Sequence, residues 1–276
     1  MPRVAIVSLF AALPAIGIAA CGGSSDPTPF AVKLTGSGKG SAMSAPKSVK
    51  GPLVEMTFTN ESKGPGDAQL VRFEKGHSVD EVLKEIGSED TDIPDWLHGA
   101  GGVGDVKPGK SGTTTAKLDP GSYIVVNDSA QGKPPVAEFT VEGGNDGDLP
   151  GTDATVTAAE VGKDKYEWKV DGLKAGDNRI TFDSEGKEAL HHIVAAQITG
   201  DATIDDVKTF LDTEKGKPPI SEENSDSTAV IDGERSEVTT LTLKPGRYAF
   251  LCFLSDREKN AKPHFKEGLI KEVTIK

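Results

Sequence analysis

The stretch LDPGSY (118–123) returns as LKPGRY (243–248), and in both places Pro-Gly stands just before an alternating apolar run. Proline and glycine in that order form a turn, and the run after it has the period of a strand. Working outward, SVDEVLKEI (78–86) matches TIDDVKTFL (203–211) at the same offset of 125 residues. MTFTNESKG (56–64) resembles ITFDSEGKE (180–188). An offset of 124 to 125 over so long a span marks one unit used twice.

Each copy reads mostly as β. Short alternating runs such as Leu53–Thr59, Thr113–Leu118, Arg179–Phe182 and Glu237–Leu243 are separated by Gly, Pro, Asp and Asn. One short helix interrupts each copy. Ser78 with Glu81, and more weakly Thr203 with Asp206, form capping boxes ahead of helically spaced apolar residues. The segments 87–111 and 212–236 are rich in Gly, Pro and acidic residues and are expected to be irregular excursions. GAGGVG (99–104) lacks the strand and helix of a phosphate loop and reads as a flexible loop. A Gly/Asp/Pro-rich patch, 144–153, is expected to be the linker between units at 30–143 and 154–276.

The first twenty residues, MPRVAIVSLFAALPAIGIAA, carry one cation, Arg3, before an apolar run that holds Pro14 and Gly17. That is the pattern of a cleavable export signal and a poor spanning helix. Ile18-Ala-Ala-Cys21 resembles the lipobox of bacterial lipoproteins, which implies lipidation of Cys21 and a short tether over 21–29. The expected location is the extracytoplasmic face of a cell membrane, the anchor being the contact with lipid. Acyl chains bury at about 0.8 kcal/mol per methylene, so a diacylated Cys21 holds stably. A net charge of −12 argues against nucleic-acid partners.

The second copy concentrates chemistry-bearing residues. LHHIV (190–194), PGRYAFLC (245–252) and PHFKEGL (263–269) hold His191, His192, Cys252 and His264. With Cys21 acylated, Cys252 has no partner for an intrachain disulfide. The order of these pieces resembles the cupredoxins, which place a histidine at a strand start, a Pro-Gly-x-Tyr-x-Phe-x-Cys strand, and a histidine in the following loop. The resemblance implies an all-β protein of two tandem cupredoxin-like Greek-key β-sandwiches, each with one short helix, behind a lipoprotein signal peptide. It also implies a type 1-like copper centre in the second sandwich. Cys252 would be the thiolate, His264 the loop imidazole, and His191 or His192 the strand imidazole. The motif register favours His191 and strand parity favours His192, so both stay open. The pattern departs in two places. Leu269 stands where a weak axial methionine belongs, and eleven residues separate Cys252 from His264.

At the offset of 125 the first copy carries Gly66, Asp67 and Asn127 where the second has His191, His192 and Cys252. All the candidate ligands are therefore absent together from one copy. His77 and His98 in the first copy are expected in solvent, and Trp96 and Trp168 in packing. No orienting acid or oxyanion motif accompanies Cys252 and His264, so an enzyme is not expected. Two functions follow. One is a membrane-anchored copper-binding or electron-transfer module with a redox protein as partner. The alternative is a metal-free cell-surface lipoprotein acting as an interaction or scaffold module.

Overall fold

The computed structural model describes residues 26–88, 93–128, 133–144, 146–257 and 261–276. The expected signal peptide and Cys21 lie outside them. No helix among the described residues is long and apolar enough to cross a membrane.

The first half contains β1 (Thr28–Gly36), β2 (Ala42–Ser44), β3 (Ser48–Lys50), β4 (Leu53–Ser62), β5 (Gly66–Phe73), α1 (Val79–Ile86), β6 (Leu97–Val106), β7 (Ser111–Lys117), β8 (Gly121–Val126) and β9 (Val136–Glu142). The second contains β10 (Ala154–Gly162), β11 (Lys165–Asp171), β12 (Gly176–Ser184), β13 (Leu190–His191), β14 (Val194–Ile198), α2 (Ile204–Thr213), β15 (Ile220–Ser227), β16 (Ile231–Asp232), β17 (Arg235–Leu243), β18 (Gly246–Leu251) and β19 (Ile270–Ile275).

Local chemistry explains the repeated elements. In β1, Phe30, Val32 and Leu34 are buried while the residues between them are not, the period a half-buried strand requires. The Tyr of each Pro-Gly motif closes its own turn. Tyr123 donates its hydroxyl to the Asp119 carbonyl at 2.9 Å, and the Tyr248 hydroxyl accepts from the Lys244 amide at 2.9 Å. Both helices begin at reciprocal capping boxes, Ser78 with Glu81 and Thr203 with Asp206. Each half keeps its own core. Phe30 packs on Phe139 with ring centroids 4.5 Å apart, among Met56, Phe58, Leu70 and Tyr123. Trp168, Phe182, Tyr248 and Phe250 fill the second core.

The expectation of two tandem cupredoxin-like Greek-key sandwiches is corrected by the sheets. Among the described residues the structure is all-β with two short α-helices, but the sheets do not separate into two closed pairs. One sheet of eight strands runs β11-β10-β12-β17-β7-β4-β1-β2, drawing four strands from each half. A second runs β13-β16-β6-β5-β8-β9-β3, so β13 and β16 of the second half extend a sheet of the first. Only the third, β15-β14-β18-β19, belongs to one half. The joins are short: Glu237 with Ala116 and Val238 with Thr115 in one sheet, Ile231 with Ala100 in the other. The physical reason is that free-standing sandwiches would leave β7, β17 and β6 as open edges with unpaired amides. Pairing them across the halves covers part of those edges.

Segments 87–111 and 212–236 are also corrected, because they hold strands β6, β15 and β16. The glycine run is part of β6, not a loop. Gly102 has φ +147°, and a Cβ there would meet the Ala68 carbonyl. A Cβ on Gly104 would meet the Ser227 carbonyl of the second half. Glycine allows the two halves to approach backbone to backbone.

Polar contacts complete the join. The Gln69 side chain donates to the Val230 carbonyl at 2.9 Å and accepts from the Val230 amide at 2.6 Å. Arg257 donates to the carbonyls of Pro94 and Leu97 and to the Asp232 carboxylate. Asp232 also accepts from the Gly99 amide at 2.8 Å and bonds His98 Nδ1 at 2.9 Å. His98, expected in solvent, is thus built into the junction. His77 stacks on Trp96 with centroids 3.9 Å apart.

Candidate functional site

The second core holds a buried polar cluster at the end of the third sheet. β18 runs into Cys252, whose side chain is fully buried. The loop that follows returns through a short 3-10 turn, His264–Lys266, which places His264 against Cys252. Three backbone bonds hold this return: the His264 amide to Leu254, the Phe265 amide to Cys252, and the Cys252 amide to Leu269. These bonds are why eleven intervening residues do not carry His264 away.

Cys252 Sγ lies 3.6 Å from His264 Nδ1. The His191 ring is 4.6 Å from the His264 ring, centroid to centroid. All three residues are fully buried. His192 turns the other way. It is half-buried, its Nε2 accepts from the Phe253 amide at 3.1 Å, and its ring stands edge-on to Phe253. Leu269 is fully buried beneath the cluster.

Residues that the sequence did not single out complete the arrangement. Asp256 Oδ1 lies 3.1 Å from His264 Nε2 and accepts from the Tyr166 hydroxyl at 2.8 Å. Ser184 Oγ bonds His191 Nδ1 at 2.9 Å. Glu267 comes within reach of Asp256 and His264, their ligand atoms all lying within 4.8 Å of one another. Asp256 sits inside the unusually long loop between Cys252 and His264, the one signal that could have drawn attention to it.

Electrostatics follow from burial. Burial pushes the Cys252 thiol up to about 12, against amide hydrogen bonds that pull it down. Burial also lowers His191 to about 3 and His192 to about 4, with the His264 ring adding to both. Burial works to raise Asp256, but hydrogen bonds from His264 and Tyr166 prevail and hold it below the usual carboxylate range. Glu267 is raised, chiefly by burial. A neutral thiol beside an ionised Asp256 orders one chain of bonds. Cys252 S–H donates to His264 Nδ1, and His264 Nε2–H donates to Asp256.

The expected type 1-like copper centre is corrected by this geometry. Such a centre needs one thiolate and two imidazoles aimed at a point, with a weak axial group. Among the described residues, the cluster of three donors in mutual reach is Asp256, His264 and Glu267, without Cys252. Cys252 is held as a buried neutral thiol against His264 Nδ1, His191 spends Nδ1 on Ser184, and Leu269 brings no thioether. The residues present do not fit the copper group, so the copper-binding and electron-transfer readings fall with it.

Comparison with known proteins adds no family. No family model and no curated protein matches the chain. Among solved structures it is similar to a multicopper oxidase at 15% identity, covering 90% of this chain and 88% of that one, with a TM-score of 0.24. It is similar to a dithionite-reduced auracyanin from Roseiflexus castenholzii at 22% identity, covering 44% and 99%, TM-score 0.29. A copper nitrite reductase from Nitrosomonas europaea matches at 14% identity, covering 89% and 93%, TM-score 0.24. Identities and scores this low assign neither a fold nor a function, and the expected membership in the cupredoxin-like group is withdrawn.

Proposed function

We propose that this protein is a lipid-tethered interaction module of the extracytoplasmic surface, a binding protein and not an enzyme. The observation that carries the reading is an aromatic pair beside an open groove. Phe253 is 41% exposed, and with Val161 it is one of two large apolar side chains left in solvent among the described residues. Its ring stands edge-on to Phe265 at 5.7 Å. Phe265 in turn lines a groove of about 540 Å³ with Lys208, Asp212, Lys266, Gly268 and Ile270. The pair projects from a backbone pinned by the buried cluster behind it, so little side-chain freedom is lost when a partner covers it. Rigid aromatic anchors next to a recess are the common centre of protein interfaces. The deeply buried Cys252, held as a neutral thiol, supports a structural and not a nucleophilic role.

A photo-crosslinking residue placed at position 253 in the full-length protein on its own membrane tests this. A discrete protein adduct that disappears with Phe265→Ser, and is absent with the crosslinker at position 161, is the expected result. Equal, diffuse labelling from both positions would end the proposal. The tether is tested separately: Cys21→Ser should move the protein from the membrane to the soluble fraction.

A further inference from the structure

We infer that Asp256, His264 and Glu267 form a binding site for one divalent cation of zinc type, a site that goes beyond the interaction reading and does not depend on it. The ligand atoms are one imidazole nitrogen of His264 and one oxygen from each carboxylate, all within 4.8 Å of one another, and Nε2 is the nitrogen that faces Asp256. His264 Nε2 and Asp256 Oδ1 are hydrogen-bonded at 3.1 Å, so a small cation that bridges them takes the place of the proton between them. One nitrogen and two carboxylates suit zinc, which takes three protein ligands and leaves its fourth position open. An imidazole in the set disfavours magnesium and calcium, which choose oxygen.

The second observation is a pair of orphaned atoms. Glu267 Oε2 and His191 Nε2 are both buried without a hydrogen-bond partner among the described residues. His191 is fully buried, its ring 4.6 Å from that of His264 and 5.1 Å from that of Tyr166. Buried unpaired polar atoms are rare and call for a missing partner. A cation on Glu267 would relieve the first directly.

The surrounding groups already occupy the places of outer-shell partners. Tyr166 donates to Asp256 and fixes its carboxylate. Cys252 Sγ sits at the far nitrogen of the same histidine. When the cation takes Nε2, the imidazole proton moves to Nδ1 and donates to Sγ. The thiol hydrogen then turns to the Leu190 carbonyl, 3.9 Å away. No proton is gained or lost by the histidine, and the thiol stays protonated and outside the coordination shell. Asp256 retains 12% side-chain exposure, which gives the ion an entry path.

Full-length protein in detergent, stripped of metal and titrated with zinc alone, tests the site, with cobalt(II) as the spectroscopic probe. The expected result is one zinc per chain. Glu267→Gln and Asp256→Asn should each weaken it by more than Tyr166→Phe, which should cost about 10-fold. Cys252→Ser should keep the stoichiometry, and the cobalt complex should show no thiolate charge-transfer band. Melting curves of metal-free Glu267→Gln, a half-buried position, separate lost binding from lost folding. No uptake by the wild type, uptake that survives both carboxylate changes, or a thiolate band would each overturn the inference. Crosslinking at position 253 in metal-free protein reads the interaction proposal independently.

Discussion

The two halves solve the same position with different chemistry. In the second, β12 ends in Ser184, which ties His191 into a buried cluster with Cys252, His264 and Asp256. In the first, β4 reaches Asn60, which donates to the carbonyls of Val106 and Gly64 and so closes a loop. Where the second half has His191 and Cys252, the first has Gly66 and Asn127. A Cβ on Gly66 would meet Leu34 of the core. Asn127 lies against Asp67, and its amide nitrogen, turned toward that carboxylate, comes within 3.0 Å of it. One half thus seals its end with amide bonds, and the other leaves orphaned atoms around ionisable groups. The difference teaches that the fold needs neither the thiol nor the histidines. They are additions to a frame that closes without them.

The junction between the halves is where that comparison breaks most easily. Asp232→Ala should have the largest effect, because it strands the buried Arg257 guanidinium, 8% exposed, and releases Gly99 and His98. A loss of about 3 kcal/mol is expected in denaturant unfolding, read as a lower midpoint.

Glu237 gives a comparable effect that depends on pH. Its carboxyl is fully buried on β17 and accepts from the Gly102 amide and the Thr114 hydroxyl of the first half, while Oε1 has no partner. Burial raises it to about 7 from an ordinary 4.5. A raised carboxyl means the folded protein holds the proton that the unfolded chain releases. This group's contribution is therefore full below pH 4.5, falls as pH rises to about 7, and is flat above, a change of about 3 kcal/mol. Glu237→Gln should flatten that stretch of the stability–pH curve. An unchanged curve would show that the carboxyl is relieved some other way.

Gly102→Ala should cost about 2 kcal/mol, from the left-handed backbone and the collision with Ala68. The equivalent change at Gly109, where a Cβ meets nothing, should cost less, its backbone strain alone. The smallest effect sharpens the likeness of the halves. Ser78→Ala and Thr203→Ala each remove one capping box and should cost about 1 kcal/mol apiece. Clearly unequal losses would mean that the helices are held differently despite matching caps.

What could be read from the sequence was local. The Pro-Gly-x-Tyr turns and both helix caps are closed by residues within four positions of each other, so their patterns survive as text. The nearness of His191, Cys252 and His264 was suggested by their order along the chain. Which partner takes each ring nitrogen was not, since Ser184 and Asp256 become important only through burial. Strand β6 was missed because glycine normally argues against a strand. Its reason for being there, the carbonyl of Ser227, lies more than a hundred residues away. The sharing of sheets was invisible for the same cause: internal repetition implies separable units, and nothing in a repeat announces which edges will fuse.

The pairing of β7 with β17 also bears on how far the duplication can be undone. A gene fragment encoding either half alone would make a chain with a bare strand flank and, in the second half, an uncovered Glu237. Such fragments should clump, or recombine with the missing piece when the two are mixed. What began as a copy has become an inseparable complement.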